Sequence, residues 1–176
     1  MFAVWSILAT AGLVSAMDTF DTDDFKGWSL YPKLTVNIDG VDQEIYVQPT
    51  PWSKDVDVDG SSVTYKYNNR MYLSTVDRID PDKYLKVDLL GGSLEFDLDL
   101  SQVGCNCIVA LYGVRMPVQD PDSTDEQKYC DGQGVGGSYC PEFDLLEGNL
   151  YGIHSTTHPC DLPDADGVYS TCSSGG

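Results

Sequence analysis

Leu94-Glu95-Phe96-Asp97-Leu98-Asp99-Leu100 alternates strictly between apolar and acidic side chains. A period of two puts the apolar residues on one face of an extended strand and the carboxylates on the other. A helix repeats every 3.6 residues, and no stretch of this chain keeps that period over three turns. Ile108 to Val114 is a nearly continuous apolar run, as expected of a strand buried on both faces. Lys33 to Ile38 and Ser62 to Tyr67 are further strand candidates. Asn37-Ile38-Asp39-Gly40 followed by Gln43 to Gln48 reads as a hairpin through an Asp-Gly turn. The sequence therefore predicts an all-β chain, a β-sandwich of half-buried strands. Residues 117–137 are rich in Asp, Gly, Pro and Ser and read as a long loop. Loops on a rigid sandwich are where binding residues usually sit.

Charge narrows the partners. The 176 residues carry 28 Asp and Glu against 10 Lys and Arg, a formal net charge of -18. That excess argues against nucleic acid and anionic membranes as partners, while a neutral polysaccharide is indifferent to it. The apolar run Phe2 to Val14, ending in Val14-Ser15-Ala16, predicts a signal peptide over residues 1–16 although it lacks a basic start. It is too short for a comfortable membrane span. Residues 17–176 then form one domain of a secreted, extracellular protein. Secretion makes the six cysteines disulfide formers. Cys105-x-Cys107 is too tight for a usual zinc knuckle, and the chain has only His154 and His158 to add, so no metal or other cofactor is expected. Asp55-Val-Asp57-Val-Asp59-Gly60 resembles the first half of an EF-hand loop. Lys66 stands where the bidentate Glu is needed, so the segment reads as an acidic turn. An acidic calcium-binding protein remains as a minor alternative class.

The chemistry-bearing motif is Cys140-Pro-Glu-Phe-Asp-Leu-Leu-Glu147. On a plain strand Glu142 and Asp144 share a face and Glu147 points away. One extra residue, a β-bulge between Asp144 and Glu147, returns Glu147 to the first face. Phe143, Leu145 and Leu146 then face a core. Retaining glycoside hydrolysis needs two carboxyl groups about 5 Å apart. At that range they repel by roughly 3 kcal/mol at an effective dielectric near 20. One then keeps its proton as general acid while the other stays charged as nucleophile. The same spacing also suits a solvated acidic strand.

From Tyr72 onward the chain resembles glycoside hydrolase family 7, the fungal cellobiohydrolases and endoglucanases. The resemblance rests on Leu94 to Ser101, Ala110-Leu111-Tyr112 with Met116, and Tyr129-Cys130-Asp131. It also rests on Cys140 to Cys160, matched without a gap through Thr156 and His158-Pro159-Cys160, and on Gly167 to Cys172. It implies a concanavalin-like β-jelly-roll, incomplete here because the family's enzymes are more than twice as long. It implies a monomeric retaining hydrolase of β-1,4-glucan working through a covalent glycosyl-enzyme intermediate. Glu142 takes the place of the nucleophile, Glu147 that of the acid/base and Asp144 that of the assisting carboxylate. His158, Tyr112, Asp131 and Trp52 take cleft positions that bind substrate. The resemblance also implies disulfides Cys130–Cys140 and Cys160–Cys172. It leaves Cys105 without its family partner, so Cys105 and Cys107 either bond each other or stay free. Leu146 stands where the family has tryptophan, and Ile108 where it has asparagine. These departures motivate the alternative of a non-catalytic carbohydrate-binding or structural relative.

Overall fold

The computed structural model describes residues 2–3, 31–53 and 55–174. The expected signal peptide lies outside them, except for the backbone of Phe2–Ala3. The described strands are β1 (Phe2–Ala3), β2 (Lys33–Ile38), β3 (Val41–Pro49), β4 (Val56–Asp59), β5 (Ser62–Tyr65), β6 (Met71–Ser74), β7 (Lys86–Val87), β8 (Val109–Val114), β9 (Glu142–Asn149) and β10 (Gly152–His158). The single described helical element is a 3-10 turn at Pro81–Lys83. The protein is all-β, and its ladders are antiparallel.

The Asp39–Gly40 turn sets the first hairpin. Both residues have positive φ, 53° and 83°, as a two-residue type I′ turn requires. The turn fixes the β2–β3 register from Ile38↔Val41 to Lys33↔Tyr46, and β3 then pairs with β6. The β4–β5 hairpin is a separate ribbon. A five-stranded sheet runs in the order β10-β9-β8-β1-β7. One core joins all three sheets. Leu34, Ile45 and Val47 come from β2 and β3, Val63 from β5, Tyr72 and Leu73 from β6, Leu111 and Val114 from β8, and Leu146 from β9. Full burial of such a side chain contributes about 1.5–3 kcal/mol.

Tilted, packed tyrosine rings link this core to the long loop. Tyr84 and Tyr72 have ring centroids 5.3 Å apart, and Tyr72 and Tyr129 6.2 Å. The buried Tyr84 hydroxyl donates to the Gln127 carbonyl at 2.7 Å. Residues 117–137 lack regular strands, as expected, yet they are held against the core from beneath. The Cys130–Cys140 and Cys160–Cys172 disulfides are both formed, while Cys105 and Cys107 are free and exposed.

Leu94 to Leu100 corrects an expectation. Leu94, Phe96 and Leu98 pack on the core while Glu95 and Asp97 face solvent, so the alternation is real. Yet the segment has no ladder partner among the described residues and is not a strand. Side-chain pattern selects a face, whereas a ladder also needs a neighbouring backbone. Ile108 falls outside β8 and is exposed, which shortens the predicted buried run. The Asp55–Gly60 segment is mostly strand β4, and the turn begins at Gly60.

Thiol titration of the folded, unreduced protein should label Cys105 and Cys107 alone; labelling of any other cysteine would contradict the pairing. Replacing Cys130 and Cys140 together by Ser should lower the unfolding free energy by about 3 kcal/mol, the chain-entropy value for a ring of this size. Chemical denaturation of both proteins checks it.

Candidate active site

β9 carries the acidic motif, and its register shows how the side chains are aimed. Against β8, Glu142 opposes Val114, Asp144 opposes Tyr112, and Glu147 opposes Ala110. The three β8 positions are two residues apart, so they share one face. Two residues of β9 are used between Asp144 and Glu147 where β8 uses one, and the pairing with β10 slips at the same place, between His154 and Thr156. This is the expected bulge, and it brings Glu142, Asp144 and Glu147 onto one face. Leu145 and Leu146 pack on the core. Phe143 is half-buried and outside the core cluster, which corrects that part of the pattern.

The neighbours of each carboxylate are distinct. Glu142 Oε2 accepts the Gly132 backbone N–H at 2.7 Å. Asp144 is buried, and its Oδ2 lies 2.9 Å from His158 Nε2. His158 Nδ1 lies 2.7 Å from the Ser173 carbonyl oxygen, which fixes the ring from its other side. Glu147 Oε2 lies 3.1 Å from Nε2 of the exposed His154. Behind Glu142, the Tyr129 hydroxyl donates to Asp131 Oδ2 at 2.8 Å and lies 3.3 Å from the Tyr112 hydroxyl. Asp131 Oδ1 in turn accepts the backbone N–H groups of Gln133 and Val135.

Burial pushes the Glu142 carboxyl up to about 7. The Gly132 N–H works against that shift, and the charges of Asp144 and Asp131 add to it. For His158, burial disfavours the imidazolium, but the Ser173 carbonyl and Asp144 outweigh it and raise its pKa. Burial likewise raises Tyr112 and Tyr129. The face thus offers a proton-sharing carboxyl, a buried carboxylate–histidine pair and a more open carboxyl beside an imidazole. One atom each of Glu142, Asp144 and His158 lie within 4.8 Å of one another, a spacing that would also accept a cation. Asp144 and His158 already satisfy each other there through their hydrogen bond.

The structure brings Glu142, Asp144, Glu147, His158, Tyr112 and Asp131 together. Trp52 is 52 % exposed and joins them at one remove, with the Arg70 guanidinium 5.8 Å from its ring and 3.9 Å from that of Tyr129. Sequence reading missed three participants. Arg70 has no motif to mark it. His154 reads as surface, and it is exposed, but the bulge returns Glu147 to its side. Gly132 sits in a glycine-rich loop, where one more glycine carries no signal. A Cβ on Gly132 would lie 2.4 Å from His158 Cβ and 3.1 Å from Glu142 Oε2. The chain matches no protein-family model and no solved structure.

The raised Glu142 carboxyl destabilises the folded state when ionised. Stability should therefore fall as pH rises from about 4.5, the ordinary glutamate value, to about 7, and then level off. Glu142→Gln should remove that fall, as read from denaturation midpoints across the range. Asp144→Asn should lower the Glu142 titration midpoint without returning it to the ordinary value, because burial remains; carboxyl carbon-13 shifts would show it. Gly132→Ala should displace both His158 and Glu142, visible as shifted imidazole resonances.

Proposed function

We propose that the protein is a secreted retaining glycosidase of the family 7 kind, hydrolysing β-1,4-glucan through a covalent glycosyl-enzyme intermediate. The observation that carries this reading is the bulge, which sets three carboxylates of one strand on one face. A retaining mechanism needs two carboxyl groups on the same side of a sugar. The two disulfides suit an oxidising compartment, and no described helix is long and apolar enough to cross a membrane.

In this proposal Glu142 attacks the anomeric carbon. It must be ionised to do so, and its raised pKa means that it holds a proton below about neutral pH. The Gly132 N–H holds the carboxylate in place, and the buried Asp144–His158 pair fixes the neighbouring wall. Glu147, at the more open end of the face, gives its proton to the leaving oxygen and later takes one from water. Tyr112, Asp131 and Trp52 line the approach, with Trp52 offering an aromatic face to a pyranose ring.

Glu142→Gln should abolish hydrolysis of soluble β-glucan, and proton NMR of the wild-type reaction should show the β-anomer as first product. Unchanged activity, or an α-anomer, would refute the mechanism. Glu147→Gln should lower kcat/KM on glucan by about 10²–10⁴-fold. It should spare aryl glycosides whose leaving group needs no proton. The kcat/KM profile should be bell-shaped, its rising limb reporting loss of the Glu142 proton, because Glu142 must be ionised while the general acid still holds its own. Glucan binding without release of reducing sugar would favour the non-catalytic alternative that Leu146 and Ile108 motivate.

A further inference from the structure

A concave feature lies outside the acidic face. It is a cavity of about 270 Å³, walled by the chain from Arg115 to Gln119, the Tyr139–Cys140 segment, Gly167, Tyr169 and Lys86. None of the carboxylates discussed above lines it, and no Asp or Glu is among its described lining residues. That is unexpected in a chain with 28 acidic residues and 10 basic ones. Two of the ten cations are in its wall.

The two cations are poised differently. Arg115 donates from Nη1 to the Tyr169 hydroxyl, and its guanidinium lies 5.6 Å from the Tyr169 ring centre. A guanidinium has five N–H donors, so this bond leaves several to offer. Lys86 makes no ion pair with a carboxylate among the described residues, unlike Lys33, Lys66 and Arg78. The walls are pinned. Tyr139 and Tyr169 form an antiparallel bridge. The Arg115 N–H bonds the Pro141 carbonyl at 3.0 Å, and Cys140 is bridged to Cys130.

We propose that this cavity binds a small organic anion the size of one sugar ring, of the hexuronate class. The volume decides the size, since it falls just below the range of about 300–1,000 Å³ usual for drug-sized ligands. The cations decide the charge. A carboxylate meets the Arg115 fork and the Lys86 ammonium without displacing any internal carboxylate. Tyr139 and Tyr169 decide the rest, because aromatic walls bring an apolar face and a hydroxyl to a sugar ring. In a strongly acidic protein, a hollow with two cations in its wall lessens the repulsion an anion meets.

NMR titration of the whole protein with glucuronate, glucose, acetate and sulfate, added separately, tests the proposal. Glucuronate should give saturable shifts in the Tyr139 and Tyr169 ring resonances, weakening as salt is added. The other three should not saturate in the same range. Lys86→Gln should raise the glucuronate Kd by about tenfold, the loss of one charge-assisted contact. Arg115→Gln should raise it at least as much. Because Arg115 also holds Tyr169, the Lys86 variant carries the test if the Arg115 variant does not fold. Equal binding of glucose would remove the role of charge. Equal binding of acetate or sulfate would remove the role of the ring. An unchanged Kd in Lys86→Gln, or no saturation by glucuronate, would overturn the site. Binding is read directly, so none of these outcomes depends on whether the carboxylate face hydrolyses glucan.

Discussion

A single extra residue in β9 governs the arrangement of the acidic face. Without it, Glu147 would lie on the face opposite Glu142 and Asp144. With it, the strand alternates correctly on both sides of the slip, and Leu146 still reaches the core opposite Leu111. The two requirements, an apolar inner face and a polar outer one, conflict for this sequence on a regular strand. The bulge resolves them together. Both neighbouring strands record it at the same place, so it belongs to β9 rather than to either partner.

The surroundings of that face explain its electrostatics. The core reaches the long loop through the packed rings of Tyr84, Tyr72 and Tyr129, and the loop delivers Asp131 and Gly132 to the carboxylates. Proximity to a packed loop, more than repulsion between carboxylates, raises Glu142. Burial is the larger cause and Asp144 a smaller one. From sequence alone, crowding between the carboxyls is the expected cause, and the general acid is the expected holder of the retained proton. The structure places the raised carboxyl at Glu142 and gives burial as its first reason.

Local chemistry made much of the fold legible. Asp39–Gly40 fixes a hairpin because few residue pairs tolerate two positive φ angles in succession. The bulge was legible because Leu145 and Leu146 both needed the core. Leu94 to Leu100 shows the limit: alternation identifies a half-buried extended segment, but the presence of a ladder depends on a partner elsewhere in the chain. Arg70 and His154 show another. Each acts through residues distant in sequence, Arg70 through Tyr129 and His154 through a bulged Glu147, and no local pattern encodes such a meeting. Gly132 is hidden for a third reason, since its role lies in the atoms it lacks.

The unpaired Leu94 to Leu100 segment also bears on how these molecules behave in a crowd. Among the described residues it has no ladder partner, and an unpartnered backbone is the arrangement that recruits a strand from another chain. Glu95 and Asp97 stand outward along it, and their mutual repulsion between copies is the barrier to such recruitment. Hydrogen bonds from Ser101 hold the Asp99 carboxyl below the ordinary aspartate value. Protonating these carboxylates removes that barrier, so acid should favour self-association through this segment.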